Sequence, residues 1–369
     1  MKLFKRNKNN NHDEVIMPKT KVQKLKLKHK KLFIIIGVLL LILVALLIFS
    51  KLYNKKETPK PINKKVNKTE EKKEVKIVDV NSKSRPFAVM INNVSTARPL
   101  QSGLQDAYII YEIIVEGGIT RYLALFMDTN TERIGSIRSS RHYYLDYAKE
   151  NDAIYVHHGY SPQAYNDFSA LNVDRIEVST PKTGWRDKSL NVASEHTLFS
   201  SIELLKNGIG SMRTERNKDL LLNYSADEID LSKMEESIVA NSVVIPYSSN
   251  TTTSYKYNND EKVYYRFVND KEHTDYVTKK QYNFKNIITY KVKNYALDDP
   301  EAKGRQGIEN VGSGEGYYIT DGYAKKINWK KECRECETVY TYTNGEKITV
   351  NDGNTFIQIQ PIDKELVIE

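Results

Sequence analysis

Residues 108–127 read YIIYEIIVEGGITRYLALFM, two runs of Ile, Tyr, Val and Leu on either side of Gly117-Gly118. β-Branched and aromatic residues suit extended backbone, and paired glycines supply the positive φ angles of a two-residue turn. The stretch therefore predicts an antiparallel hairpin. Upstream, Phe87 to Ile91 predicts a short apolar strand ended by Asn92-Asn93, and downstream another strand ends near Ile137. Ser139 or Ser140 stands where a helix cap belongs, before Tyr143, Tyr144, Tyr147 and Ala148, which share a face at helical spacing. Ala153 to His157 predicts a buried strand, and Ser161-Pro162 opens a second helix that runs to Ala170. A strand near Arg175–Val178 and a helix near Glu195–Lys206 follow. From Ser242 the chain turns into short β-rich runs between turn residues, with Asn344-Gly345 a strong hairpin signal. The expected fold class is α+β: a mixed α/β-type sheet domain over 84–235, then a mostly-β domain over 240–369.

What precedes this body has a different character. Leu32 to Phe49 is an uncharged apolar run of 18 residues, long enough at about 1.5 Å per residue to span a bilayer core. The Lys-rich stretch Lys19 to Lys31 before it marks a cytoplasmic flank. The expectation is a basic cytoplasmic tail over 1–31, an uncleaved single-pass transmembrane signal-anchor over 32–49, and a charged solvated linker over 50–83. The body would then lie outside the cytoplasm. The formal net charge of +9 misleads until it is located. Residues 1–31 hold 11 Lys/Arg against 2 acids and residues 51–76 hold 10 against 4, which leaves 35 basic and 41 acidic residues elsewhere. A globally basic nucleic-acid-binding surface is excluded, and no nucleic-acid partner is expected.

The chemistry-bearing residues fall into two groups. On a two-residue turn, Ile114 would face Arg121, which puts Glu112, Glu116 and Arg121 on one side of the hairpin as a polar strip. That strip reads either as an ion-pair ladder or as the floor of a cleft. The second group is Arg138-Ser139-Ser140-Arg141 and His157-His158-Gly159-Tyr160-Ser161, each between a strand and a helix. If those strands are parallel neighbours, both loops open at one carboxyl edge of the sheet, and Arg138, Ser139, Ser140, Arg141, His158 and Ser161 form an anion-binding cleft. A nucleophile elbow is absent, no His spacing makes a metal centre, and no cofactor motif occurs. Cys333 and Cys336, the two cysteines of the chain, are a local disulfide or an incidental pair.

RPFAVMINN (85–93), ARPLQSGLQDA (97–107), YEIIVEGGITR (111–121), IGSIRSSR (134–141), the VHHG step (156–159) and the late GIENVGSGEGYYITDGYAKKINWKK resemble the YerB-like family of bacterial envelope proteins. The resemblance covers most of 84–369. It implies an α+β extracytoplasmic domain followed by a β-rich one, usually tethered by a lipid on an N-terminal Cys. This sequence departs there, with an apolar span and no such Cys. The family is one of unknown function, so the resemblance carries no catalytic residue. The leading expectation is a membrane-anchored envelope protein that binds an anionic wall polymer or glycan. The alternatives are a hydrolase or transferase on cell-wall material, with Glu112 or His158 as base, and an adaptor for another envelope protein.

Overall fold

Strands β1 (Phe87–Asn92), β2 (Ile109–Ile114) and β3 (Thr120–Phe126) are buried along their whole length. Burial on both faces is why they read as near-continuous apolar runs rather than alternating ones. In this computed structural model, which describes residues 35–50 and 73–369, they form the middle of an eleven-stranded sheet. β4 (Ile134–Gly135) lies elsewhere, while β5 (Ile154–His157) and β6 (Arg175–Glu177) continue the sheet beyond β1. On the other side β2 pairs in parallel with Thr355–Pro361, and Asn286–Val292, Gly312–Thr320, Tyr323–Lys331 and Ile238–Val239 follow to the far edge. The two expected regions thus contribute strands to one sheet, joined where Ile109 meets Thr355 and Ile113 meets Ile359.

Each face of that sheet has its own cover. Helix α1 (35–50) precedes the body; α2 (His142–Glu150) and α3 (Pro162–Ala170) pack on one face. Tyr143, Tyr144 and Tyr147 of α2 join Tyr111, Ile113, Leu123, Tyr290 and Trp329 in one buried cluster. Such tyrosines stay buried because their hydroxyls find partners, as when Tyr143 donates to the Ile114 carbonyl at 2.7 Å. On the opposite face, Ile110, Tyr122, Phe126 and Phe356 meet Val243, Ile245, Tyr255 and Tyr264 of a second, six-stranded sheet. Mixed sheets with a few helices make the body α+β.

Several expectations change at this level. β4 pairs antiparallel with β8 (Leu198–Ser200), whose other neighbour is β7 (Trp185–Arg186), so the strand ending near Ile137 belongs to a small three-stranded sheet. The parallel neighbours of β5 are β1, with Phe87 opposite Ile154 and Val89 opposite Val156, and β6. The helix expected at 195–206 is a single turn at Ser194–His196, strand β8, and a short α4 (Ile202–Lys206). Ser161 caps α3 as its Ser-Pro start demands, its hydroxyl accepting from the Ala164 amide at 3.2 Å. The N-cap of α2 is Arg141 with no side-chain cap, rather than Ser139 or Ser140.

Among the described residues no helix is long and apolar enough to cross a membrane. The expected span 32–49 begins at residues 32–34, outside the described residues, as do the tail 1–31 and the linker positions 51–72. The described part of the span is helical, and its Leu, Ile and Val side chains are exposed.

Candidate functional site

The hairpin decides where its charges go. Ile113, not Ile114, faces Arg121, and Ile114 faces Thr120. The connection is longer than two glycines, with Glu116–Gly118 forming a turn closed by the Val115 amide on the Ile119 carbonyl at 2.8 Å. A one-residue change of register moves every side chain to the other face. Glu112, opposite Tyr122, therefore lies on the opposite face from Arg121, and the expected polar strip does not exist.

Glu112 goes into the interior between the two large sheets. It is fully buried and paired at 2.8 Å with Arg266, also fully buried. Thr120 donates to its carboxylate at 2.7 Å and Thr253 at 3.0 Å. Arg266 also donates to His273 Nδ1 at 2.7 Å and lies over the rings of Tyr122 and Phe356, 5.1 and 4.9 Å from their centroids. This network ties the 84–235 region to the 240–369 region. A carboxylate so enclosed cannot act as a base on an external substrate.

Glu116 stays at the edge. It accepts from Arg121 at 2.9 Å and from Arg141 Nε at 2.8 Å, with a further contact from Arg141 Nη2. Burial pushes its carboxyl up, but the hydrogen bond from Arg141 and the charges of Arg121 and Arg141 outweigh burial and hold it down at about 2. Burial, with the Arg141 charge, lowers Arg121 to about 10 against the pull of Glu116. Arg121 also donates to the Ser139 carbonyl, and Arg141 to the Ser140 carbonyl at 2.7 Å. Arg141 is thus consumed in holding its own loop to the hairpin, and Ser140 is buried with its hydroxyl accepting from Tyr155 at 2.8 Å.

The two expected loops do meet, through a different topology. Ser140 bridges Tyr160 in parallel fashion, the Ser140 amide donating to the Gly159 carbonyl at 2.9 Å and the Ser161 amide to the Ser140 carbonyl at 3.2 Å. Both lie at the carboxyl ends of the parallel strands β1 and β5. Of the expected cleft residues, Arg138 and His158 face a shared polar cluster there, while Ser140, Arg141 and Ser161 serve the local scaffold. Arg138 pairs with Glu195 at 2.9 Å, the carboxylate being more than half exposed. Arg186 donates to His158 Nε2 at 3.1 Å, and also to the Ser194 carbonyl. His196 receives from Asn92 at 3.0 Å and contacts Thr96 at 3.3 Å.

The imidazoles share one pattern. His158 Nδ1 lies 2.9 Å from the Val178 carbonyl, which only an N–H can serve, so its Nε2 is the acceptor for Arg186. His157 repeats this, with Nδ1 on the Gly159 carbonyl at 2.9 Å and Nε2 facing Arg175 at 3.2 Å. Burial lowers His157 to about 4. Burial likewise lowers His196, and the Arg138 charge adds to that. With Nδ1 on the Val178 carbonyl and Nε2 engaged by a guanidinium, His158 orients Arg186. The cluster presents two guanidiniums beside imidazoles and one half-exposed carboxylate, which suits the binding of an anion. Arg186, Glu195 and Asn92 were not identifiable from the sequence: they come from three segments, and none stands in a motif. Among the described residues no group of three or more His, Cys, Asp or Glu could hold a metal ion.

Cys333 and Cys336 form a disulfide far from this cluster in sequence. Within that loop Arg334 pairs with Asp146 of α2 at 2.8 Å and Asp167 of α3 at 2.7 Å, so the cysteines shape a clamp on the helices. Beside it, the fully buried Glu150 pairs with Lys331 at 2.7 Å.

Residues 74–216 match the family model described as protein of unknown function (DUF3048), N-terminal domain, and residues 243–357 match the corresponding C-terminal domain. The chain is 29% identical over 288 residues to the candidate lipoprotein YerB of Bacillus subtilis (strain 168), covering 76% of this chain and 79% of that protein. The crystal structure of YerB from Bacillus subtilis is similar, with a TM-score of 0.66 and 26% identity over 78% of this chain and 94% of that one.

Proposed function

The chain belongs to the DUF3048 family, proteins of unknown function that include YerB, and on that premise we propose a membrane-anchored envelope protein whose external body binds an anionic wall polymer or glycan. The lipoprotein designation of YerB supports attachment to a membrane. In this chain the apolar run 32–49, flanked by the lysines of 19–31, takes the place of a lipid as a single-pass anchor. The lysines put the tail in the cytoplasm and the body outside. Protease added to intact, wall-stripped cells is expected to digest the body and spare the tail; a protected body overturns the topology.

The observation that carries the binding reading is the pairing of Arg138 with an exposed carboxylate, beside Arg186, His158 and His196. An anion bearing phosphate or carboxylate would replace Glu195 on Arg138 and gain the Arg186 guanidinium. Each such charged hydrogen bond contributes roughly 1.5–3 kcal/mol. Calorimetry on the detergent-solubilised full chain, with phosphorylated and dephosphorylated wall glycan, tests it. Arg138→Ala is expected to weaken binding of the phosphorylated glycan about ten- to a hundredfold. Equal binding of both glycans, or full binding by Arg138→Ala, overturns the reading.

A further inference from the structure

A second polar site lies on the face of the large sheet shared with Glu112. A cavity of about 450 Å³ is lined by Thr289, Lys291, Tyr317, Lys326 and Gln360. That volume is within the range of roughly 300–1,000 Å³ typical of ligand pockets. Strand register puts these side chains on one face: Thr289 is opposite Tyr317, Tyr317 opposite Lys326, and Lys291 opposite Gln360. Ile238, Leu366 and Ile368 add an apolar wall.

Two buried polar atoms at this cavity, the Thr289 hydroxyl and the Gln360 amide oxygen, have no hydrogen-bond partner among the described residues. Thr289 is 1% exposed and Gln360 not at all. The Gln360 amide nitrogen donates to the Pro246 carbonyl at 2.9 Å, which fixes the amide and leaves the oxygen over. Buried polar groups are nearly always satisfied, because leaving one bare is costly. Two such atoms at one cavity call for an occupant that brings hydroxyls. Lys326 is neutralised by Glu315 at 2.8 Å, whereas the Lys291 side chain makes no ion pair or hydrogen bond among the described residues, its charge acting at longer range on Asp363.

The geometry points to a saccharide site that takes one sugar ring bearing a single acidic group. Ring hydroxyls donate and accept, so they serve both Gln360 and Thr289. The C–H face of the ring lies against the apolar wall and Tyr317, and the acidic group meets Lys291. This site is independent of the Arg138 cluster.

The test is calorimetry and thermal shift on the detergent-solubilised full chain with D-glucuronate and D-glucose. D-Glucuronate is expected to bind saturably and D-glucose about tenfold more weakly. Lys291→Met, a half-exposed position, is expected to erase that difference. Thr289→Val keeps the shape of the side chain; it is expected to raise the melting temperature of the unliganded protein while weakening both sugars at least tenfold. A disaccharide ending in glucuronate, compared with the free acid, separates a polymer-borne unit from a metabolite: tighter binding of the disaccharide assigns the polymer, equal binding the free acid. Arg138→Ala is expected to leave glucuronate binding unchanged, so failure at one site is distinguishable from failure at the other. No saturable binding of either sugar overturns the proposal. So does Thr289→Val that stabilises the protein and binds D-glucuronate as wild type does, since the orphaned hydroxyl would then be structural only.

Discussion

Glu112 and Glu116 belong to one hairpin, yet one is sealed between two sheets and the other sits where a loop is tied down. Glu112 has Arg266 and two threonine hydroxyls around it and no exposure. Glu116 has Arg121 and Arg141, and its side chain keeps about a fifth of its surface. The difference teaches that carboxylate–arginine pairing alone says nothing about function. The enclosed pair joins the two regions of the body. The edge pair holds the Arg138–Arg141 loop in place, which leaves Arg138 to pair with Glu195.

The comparison breaks most visibly at Arg266. Removing one partner of a buried pair leaves an uncompensated charge, which costs about 3–5 kcal/mol. Arg266→Leu is expected to lower unfolding stability by that much in urea denaturation. The double variant Glu112→Leu/Arg266→Leu is expected to cost less than Arg266→Leu alone, because no bare carboxylate remains. If Arg266→Leu costs under about 1 kcal/mol, the interior network does not hold the two regions together.

His157 gives the next effect. Folded His157 titrates at about 4, through burial, against about 6.5 when unfolded. The unfolded chain therefore takes up the proton first, so this contribution is complete above pH 6.5 and is lost as the pH falls toward 4. The loss amounts to at most about 3 kcal/mol. His157→Gln is expected to flatten the stability profile between pH 6.5 and 4 by that amount, measured by chemical denaturation at several pH values. An unchanged slope would show that His157 does not titrate as its surroundings require.

Glu116 sharpens the contrast at lower pH. Its folded carboxyl is held at about 2, below the unfolded value near 4.3, so its stabilisation is present above pH 4.3 and is lost as pH falls through 2. Discounted for partial exposure, the effect is roughly 2 kcal/mol. Glu116→Gln is expected to remove that acid dependence, and to loosen the Arg138–Arg141 loop enough for faster amide exchange there. Slow exchange retained in that loop would mean that Glu116 is not its anchor.

Much of the scaffold was legible because apolar runs, Gly-Gly and Ser-Pro carry local physics that tertiary contacts did not override. β1, the hairpin strands, β5, β6, α2 and α3 fall where their composition puts them. Register was the weak point: whether Gly117-Gly118 or Glu116–Gly118 makes the turn differs by one residue, and that residue decided the fate of Glu112. The β4 region was half read: Ile137 bridges Ile91 of β1, but Ile134 and Gly135 pair with Leu198–Ser200, a choice between distant segments. The site was half visible. Arg138 and His158 stand in loops that a sheet edge gathers, but Arg186, Glu195 and Asn92 join them only through long-range packing. Arg266, in the run VYYRFV, has no local mark that it pairs with a buried carboxylate.

Arg138 should show the smallest effect on stability, and this separates a binding group from a structural one. Its side chain is 23% exposed and that of its partner Glu195 is 55% exposed. Pairs so open to water contribute little, with a median of about 0–1 kcal/mol, because solvent screens them and two long side chains must be ordered. Arg138→Ala is therefore expected to change unfolding stability by less than about 0.5 kcal/mol, where Arg266→Leu costs several. Arg141→Ala makes a stricter comparison three residues on, since it strips Glu116 of its nearer partner and is expected to destabilise by about 1.5–3 kcal/mol. Urea denaturation of the two variants side by side checks this. If Arg138→Ala destabilises as much as Arg141→Ala, Arg138 is a structural tie like its neighbour, and the loss of glycan binding in that variant could not be read as loss of a contact.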